Sequence, residues 1–171
     1  VVGRANIIQI KVVSGGVHDG DVSSILVDGL EQSPNERGLN VVILDPETLR
    51  VTDSRNFNTH DSDAAASQLE HYMERIPEGS VVACSVRADA SARVTKGMVK
   101  ALKSVGARNF RPGFGGSWAL IGRKSADSQR GNQKSSARFQ GSVTITGSFV
   151  ARRVPTSAEA VKHDSSCCCF Q

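Results

Sequence analysis

The residues of this chain that could bind a metal or carry out acid–base chemistry are few and scattered. Its four histidines lie at positions 18, 60, 71 and 163, so no two share helical metal-ligand spacing, and no Cys-x-x-Cys occurs. His18 and His60 fall in turn-like segments, where solvated loop residues are commoner than ligands. We therefore predict no metal site and no cofactor.

Nucleophilic catalysis and phosphate binding have equally little support. The sequence contains no Gly-x-Ser-x-Gly elbow, and Cys84 lies in an apolar run, which predicts a buried and unreactive thiol. The glycines at 113, 115 and 116 precede an apolar strand, whereas a phosphate-binding glycine loop needs a helix after it. The sequence therefore predicts a protein that is not an enzyme.

Three adjacent cysteines, Cys167, Cys168 and Cys169, lie close to the C-terminus. The last four residues have the Cys-a-a-X form with Gln last, which is a prenylation signal, and Cys167 could carry a second lipid. In an oxidising compartment the same thiols would instead form disulfides between chains. The pattern alone leaves both lipid anchoring and disulfide crosslinking open.

Basic residues are concentrated in the last third of the chain. Residues 123–153 contain seven Lys and Arg side chains but only one acid, Asp127. Such a strip can attract nucleic acid, sulfated glycans or acidic lipids, or can be merely a solvated loop face. It lacks the interleaved aromatics on which single-stranded nucleic acids stack, so we predict no nucleic-acid partner.

The length and hydrophobic pattern predict one α+β domain. The chain has 171 residues, of which 39% are hydrophobic, enough for a core, and no apolar run approaches a membrane span. We expect the domain over residues 5–152 and an unstructured tail over 153–171. Polar residues 125–136 predict a long loop. The predicted strands cover residues 6–13, 23–29, 39–44, 49–57, 81–86, 117–122 and 142–150.

Two helices are predicted between these strands. Asp61 or Asp63 would cap the first helix, and Asp89 or Ser91 the second, because carboxylate and hydroxyl oxygens accept from free helix amides. The order of elements indicates a mixed, mainly antiparallel sheet with two flanking helices. The apolar face of the first helix contains Leu69, Tyr72, Met73 and Ile76, and that of the second contains Val94, Met98, Ala101, Leu102 and Val105.

Five segments, in order, resemble the ILEI/PANDER-type domain of interleukin-like EMT inducer and pancreatic-derived factor. A similar domain forms the stem module of protein O-mannose N-acetylglucosaminyltransferase and a module of cell-surface hyaluronan-degrading proteins. Together the matches extend over about half of the chain. The matching segments are RGLNVVIL (37–44), VTDSRNFN (51–58), GSVVACSV (79–86), KALKSVG (100–106) and SWALIGRK (117–124).

The resemblance implies a β-β-α sandwich and a ligand site between two loops. In the stem module an acidic residue after the strand corresponding to 81–86 contacts ligand, and this position maps to Ala88 or, with a one-residue shift, Asp89. The family's Arg-Asp before the Trp strand is replaced by Gly115 and Gly116. The alternatives are helix capping for Asp89, a tight turn for the glycines and core packing for Trp118. The implied site contains Arg87, Asp89, Phe114, Gly115, Gly116 and Ser117.

The resemblance also implies a non-catalytic, secreted interaction module, and the missing cysteines of the cytokine-like branch point toward the stem-like branch. A glycan or glycoprotein is the expected partner. The alternatives are a cytokine-like signalling ligand and a subunit of an extracellular polymer. Secretion favours disulfide-linked oligomers through Cys167–Cys169, whereas a cytosolic chain would be membrane-anchored through prenylation.

Overall fold

A computed structural model describes residues 6–127 and 129–151 of the chain. This part of the sequence forms nine strands and two helices. They are β1 (Ile7–Gly16), β2 (Val22–Val27), β3 (Leu30–Glu31), β4 (Gly38–Leu44), β5 (Val51–Phe57), α1 (Ala65–Glu74), β6 (Val81–Ala88), α2 (Lys96–Lys103), β7 (Ser117–Arg123), β8 (Asn132–Ser136) and β9 (Val143–Val150).

The strands form two groups, which are joined by strand pairing where β1 meets β6. In the first group β1 lies between β2 and β9, with β3 beyond β2, and in the second the order is β5-β4-β6-β7-β8. All pairings within the groups are antiparallel. The groups meet where the end of β1 pairs in parallel with the end of β6, through Gly15 with Arg87 and Gly16 with Ala88. The predicted mixed, mainly antiparallel α+β fold is confirmed.

Strands β4, β6 and β7 are buried on both faces, which explains their nearly continuous apolar sequences. Val41 and Cys84 face the two helices in one core, while their neighbours Val42 and Ala83 face β1, β2 and β9 in another. Each fully buried aliphatic side chain contributes roughly 1.5–3 kcal/mol. The molecule is therefore a three-layer sandwich with the β4–β6–β7 sheet in the middle. Burial raises the pKa of the Cys84 thiol, consistent with the predicted unreactive cysteine.

Both predicted helices are present, but the predicted caps are wrong. Helix α1 begins after Ala64, which makes no side-chain cap bond. Asp61 instead accepts a hydrogen bond from the side-chain amide of Asn58, at 2.8 Å, and Asp63 pairs with Arg93. The apolar face of α1 packs as expected, with Leu69, Met73 and Ile76 buried and Tyr72 partly buried.

The cap of α2 is Thr95 rather than Asp89 or Ser91. Its hydroxyl oxygen accepts from the Met98 amide at 3.0 Å and donates to the Glu70 carboxylate at 2.7 Å. Sequence reasoning placed the helix start too early because Asp89 has the residue type of a cap, although it is occupied elsewhere in the fold.

The predicted loop over 125–136 is wrong in its second half, where residues 132–136 form β8. This strand pairs with β7 in antiparallel register from Ile121 with Asn132 to Ser117 with Ser136. Its polar, largely exposed side chains give no apolar signal, and the backbone ladder of β7 positions it instead.

Within the described residues, no helix is long and apolar enough to cross a membrane. The tail predicted over 153–171, with Cys167, Cys168 and Cys169, lies outside the described residues.

Candidate functional site

The two loops predicted to form a ligand site do come together. The amide of Gly115 donates to Oδ1 of Asp89 at 3.1 Å, so the loop before β7 is joined directly to the end of β6. Asp89 is only 1% exposed. A carboxylate buried to this degree is found in proteins mainly where it is paired and hydrogen-bonded.

Asp89 has a full set of partners within the protein. Its Oδ2 lies 2.7 Å from Nδ1 of His60, and its Oδ1 also accepts from the amide of Ser91 at 3.1 Å. Burial disfavours the ionised carboxylate, but the hydrogen bonds from Ser91, Gly115 and His60 outweigh it, and the pKa of Asp89 is lowered. We call Asp89, His60, Ser91 and Gly115 the Asp89 junction. It fastens three loops together, and each oxygen of the Asp89 carboxylate accepts at least one hydrogen bond from within the described residues.

Arg87 and Ser117 also serve the fold. The Nε of Arg87 lies 3.3 Å from Oδ1 of Asp21, and its guanidinium donates to the carbonyl of Asn35. The buried hydroxyl of Ser117 accepts from the amide of Gly16 at 3.0 Å. Both side chains connect the first strand group to the second.

The glycines of the loop are required by close packing. A Cβ on Gly16 would lie 1.8 Å from the carbonyl oxygen of Gly115, so β1 and the loop touch backbone to backbone. Gly115 itself has a φ of +69°, in the left-handed region that favours glycine. Gly116 is buried beside the carbonyl oxygen of Ser136. Trp118 is 1% exposed and packs edge-to-face on Phe110, with ring centroids 4.8 Å apart, as a core residue.

Phe114, by contrast, points outward and belongs to an exposed cluster that the sequence did not predict. The cluster contains His18 from the β1–β2 turn and Arg138 and Phe139 from the β8–β9 connection. Phe114 is 55% exposed and Phe139 is 66% exposed. The guanidinium carbon of Arg138 lies 5.2 Å from the ring centroid of Phe114 and 4.5 Å from that of Phe139. We call these four residues the aromatic–arginine cluster.

Hydrogen bonds of Asp19 hold the loops of the cluster together. Asp19 accepts hydrogen bonds from the amides of Phe139, at 2.9 Å, and Gly141, at 2.8 Å, which ties the β8–β9 connection to the β1–β2 turn. The rings of His18 and Phe139 stack with centroids 4.7 Å apart, and Nη2 of Arg138 lies 2.6 Å from Nε2 of His18. Because a guanidinium only donates, this histidine nitrogen is the acceptor.

Phe139 has a backbone φ of +66°, which is costly for a bulky side chain. The surrounding bonds keep it there with its ring largely in solvent. A strained residue that exposes an aromatic ring is a reason to expect a function at this position.

Sequence reasoning missed the cluster because its parts are far apart in the chain. His18 and Arg138 are separated by 120 residues. One signal was available: the Arg-Phe pair at 138–139 is an aromatic interruption in a polar stretch. Not all side chains of the predicted basic strip are free of contacts with the fold. The ammonium group of Lys124 donates a hydrogen bond to the carbonyl of Met73, and the guanidinium of Arg123 donates one to the carbonyl of Gly79.

The cluster has the chemical groups of a binding surface. It presents two aromatic faces, one guanidinium and one imidazole, which suits a ligand with an apolar face and an anionic group. Among residues 6–127 and 129–151, no group of three or more His, Cys, Asp or Glu side chains could hold a metal ion.

Comparison with known proteins finds one family and several relatives. Residues 37–126 match the family described as interleukin-like EMT inducer. The human cell migration-inducing and hyaluronan-binding protein is 27% identical over 92 residues, which are 53% of this chain and 7% of that protein. Human cell surface hyaluronidase CEMIP2 is 27% identical over 88 residues, or 50% of this chain and 6% of that protein. The chain thus spans less than a tenth of these relatives' length.

Proposed function

The chain belongs to the interleukin-like EMT inducer family, and from this premise we propose that it is a non-catalytic extracellular module that binds an acidic glycan. The binding surface is the aromatic–arginine cluster. The observation that supports this proposal is the exposure of Phe114 and Phe139 around Arg138, on a backbone that holds Phe139 in a strained conformation.

The aromatic part of the cluster supplies an apolar platform. Three of the exposed large hydrophobic side chains, Val17, Phe114 and Phe139, surround the same point. Exposed apolar patches with polar rims mark ligand-binding surfaces more often than chance placement does. The C–H face of a pyranose ring is a suitable partner for such rings, because it buries apolar area without leaving its equatorial hydroxyls unsolvated.

Arg138 supplies the charge. Within the described residues its guanidinium lies at ion-pair distance from no carboxylate, and its close polar neighbour is Nε2 of His18. A guanidinium beside two aromatic rings can donate a charge-assisted hydrogen bond to a sugar carboxylate. This group selects a uronic-acid polymer over a neutral glycan.

The relatives point to the same chemical class. Two human relatives have names that refer to hyaluronan, one as a binding protein and one as a hyaluronidase. Hyaluronan has one carboxylate in each repeating disaccharide, so it offers a charge and a sugar face in every repeat. We therefore choose hyaluronan oligosaccharides as the first ligand to test, and propose an extracellular or cell-surface location for the chain.

The family-implied site residues take supporting roles in this proposal. Phe114 contacts the glycan directly. Gly115, Gly116 and Ser117 position it, while Arg87 and Asp89 fasten the loops beneath it. Crosslinking through Cys167, Cys168 and Cys169 would increase avidity by joining modules.

The proposal is tested by calorimetric titration of the full chain with hyaluronan oligosaccharides at low and high salt. We expect binding that weakens as salt is raised, because a surface carboxylate–guanidinium contact is screened. Arg138→Ala should weaken binding about tenfold or more, since a hydrogen bond to a charged group contributes roughly 1.5–3 kcal/mol. Phe139→Ala should weaken it by a similar factor.

A control comes from a second arginine–aromatic pair, whose two side chains are only partly exposed. Arg123 lies 5.2 Å from the ring of Phe149 on a different surface, so Phe149→Ala should leave binding unchanged. Equal losses in Phe139→Ala and Phe149→Ala, or binding of neutral and acidic oligosaccharides with equal affinity, would contradict the proposal. Shortening of the hyaluronan chains during incubation would show an enzyme instead.

A further inference from the structure

Among the described residues, strand β5 pairs with another strand along one edge only. In the order β5-β4-β6-β7-β8 it is the terminal strand, paired with β4 alone among the described residues. Its side chains from Val51 to Asn56 are all exposed or partly exposed. A free seven-residue edge of this kind is a template for pairing with another strand.

A groove lies beside this edge, between β5 and helix α1. Its volume is about 830 Å³, and its lining includes Arg55, Phe57, His71, Tyr72 and Arg75. Its walls therefore combine the aromatic side chains of Phe57 and Tyr72 with the basic side chains of Arg55 and Arg75.

The sequence of β5 is complementary to itself when read in opposite directions. In an antiparallel pair centred on Ser54, Asp53 of one strand is opposite Arg55 of the other, and the reverse pair is identical by symmetry. Val51 is then opposite Phe57, an apolar pair. We propose that the β5 edge binds the β5 edge of a second copy of this chain, on a twofold axis through Ser54.

Charge also fixes the register. Moving the axis by one residue, to Asp53 or to Arg55, would place two like charges directly opposite each other, which destabilises a strand pair. Side chains that are directly opposite each other in an antiparallel pair point to the same face of the sheet. An axis placed between two residues would pair residues that point to different faces within each strand, so the helices of the two copies would lie on opposite faces of the joined sheet. The register centred on Ser54 pairs opposite charges and keeps α1 and its copy on one side.

The free chain already holds these charges in place. Nε of Arg55 lies 3.0 Å from Oδ2 of Asp53 on the same strand, and the Arg55 guanidinium lies 5.1 Å from the ring of Tyr72. Pairing brings two such ion pairs together as four alternating charges. An exposed pair contributes little alone, whereas a network of several charges contributes more.

The interface leaves the glycan surface open. Phe114 precedes β7 and Arg138 follows β8, at the opposite end of the sheet from β5. A dimer would therefore present two aromatic–arginine clusters, and a repeating glycan could engage both. The proposed dimer follows from the sequence and pairing of β5 and does not depend on which glycan the chain binds.

Sedimentation velocity of the full chain over a wide range of micromolar concentrations tests the proposal. A reductant is included so that disulfides of Cys167–Cys169 do not contribute. We expect a reversible monomer–dimer equilibrium. Asp53→Arg and Arg55→Asp should each raise the dimer dissociation constant about tenfold or more, because each brings four like charges together.

The two variants also test the register. Mixed in equal amounts, they should form a heterodimer, since the introduced charges are complementary, and the double variant should dimerise with itself. Lys134→Asp on β8, an exposed charge reversal at the other end of the sheet, is the control and should dimerise as the unchanged chain does.

Two results would overturn the proposal. One is an unchanged chain that stays monomeric at the highest concentration, which would leave the groove to an extended segment of another protein. The other is a mixture of folded single variants, verified by circular dichroism, that fails to recover dimer.

Discussion

The Asp89 junction and the aromatic–arginine cluster lie on opposite sides of one glycine loop and use polar groups in opposite ways. In the junction, a carboxylate at 1% exposure accepts from two amides and a histidine. In the cluster, Phe114, the neighbour of Gly115, is 55% exposed beside the guanidinium of Arg138, which has no carboxylate partner among the described residues. Buried hydrogen bonds therefore hold one side of the loop, whereas the other side exposes aromatic rings next to a positive charge.

Residues of one site implied by a family resemblance thus have different surroundings. Asp89 is buried and holds the loops together. Phe114, on the outward side of the same loop, lies beside Arg138, which is outside the family-matched segment 37–126. Variants that act on one region and spare the other can test this division.

The largest effect is expected from Gly16→Ala. The added Cβ would lie 1.8 Å from the Gly115 carbonyl oxygen, so the backbone contact beneath both regions must open. We expect the free energy of unfolding, measured by urea denaturation, to fall by about 3 kcal/mol or more. Gly113→Ala is the control, since nothing lies within 4 Å of its added Cβ. Equal stabilities of the two variants would contradict the close contact.

Asp89→Ala comes next and acts on the junction alone. Removing a buried, paired carboxylate leaves His60 and the amides of Ser91 and Gly115 without their acceptor. We expect a loss of about 3 kcal/mol in the free energy of unfolding. Asp89→Asn keeps an acceptor oxygen and should cost less. A loss of glycan binding without a loss of stability would instead make Asp89 a ligand residue.

The pH dependence of the free energy of unfolding should reveal the contribution of the Asp89 carboxylate. The pKa of Asp89 is lower in the folded chain than in the unfolded chain, so its ionised form stabilises the fold above the unfolded pKa of about 4. That contribution is lost as pH falls from about 4 through the folded pKa. In urea titrations the difference between the unchanged chain and Asp89→Asn should therefore shrink at low pH. A constant difference would show that the charge of Asp89 does not contribute.

The smallest effect on stability is expected from Arg138→Ala. This side chain contacts exposed rings and forms no ion pair with a carboxylate in the described part of the chain. The free energy of unfolding should change by about 0.5 kcal/mol or less, although glycan binding falls. If denaturation instead showed a loss as large as that of Asp89→Ala, the cluster would be part of the structural support.

Much of the fold could be predicted from the sequence because burial leaves a pattern. The apolar runs of β4, β6 and β7 mark strands covered on both sides, and Leu69 and Met73 mark the inner face of α1. The polar strand β8 has no such pattern, because backbone hydrogen bonds to β7, rather than burial of its own side chains, determine its position. The cap of α2 could not be predicted, because Asp89, which has a suitable side chain, is bound to His60 and Gly115 and Thr95 caps the helix instead.

The site was harder to predict than the fold, for a related reason. The loop before β7 could be chosen from the resemblance, and Phe114 within it is exposed as a ligand residue must be. Its partners His18 and Arg138 come from two other loops, and nothing local in either loop indicates the other. Their meeting depends on the pairing of β1 with β9 and of β7 with β8.

The contact between the ends of β1 and β6 has a consequence for how fast the chain folds. The bonds that close it join residues distant in sequence: Ser14 to Val86 over 72 residues, Gly16 to Ser117 over 101 and Trp118 to Ser14 over 104. Forming contacts of such long range costs a large loop-closure entropy, which is offset only after the contacts have formed. We therefore expect the two strand groups to join late in folding, and the aromatic–arginine cluster to form after both groups are in place.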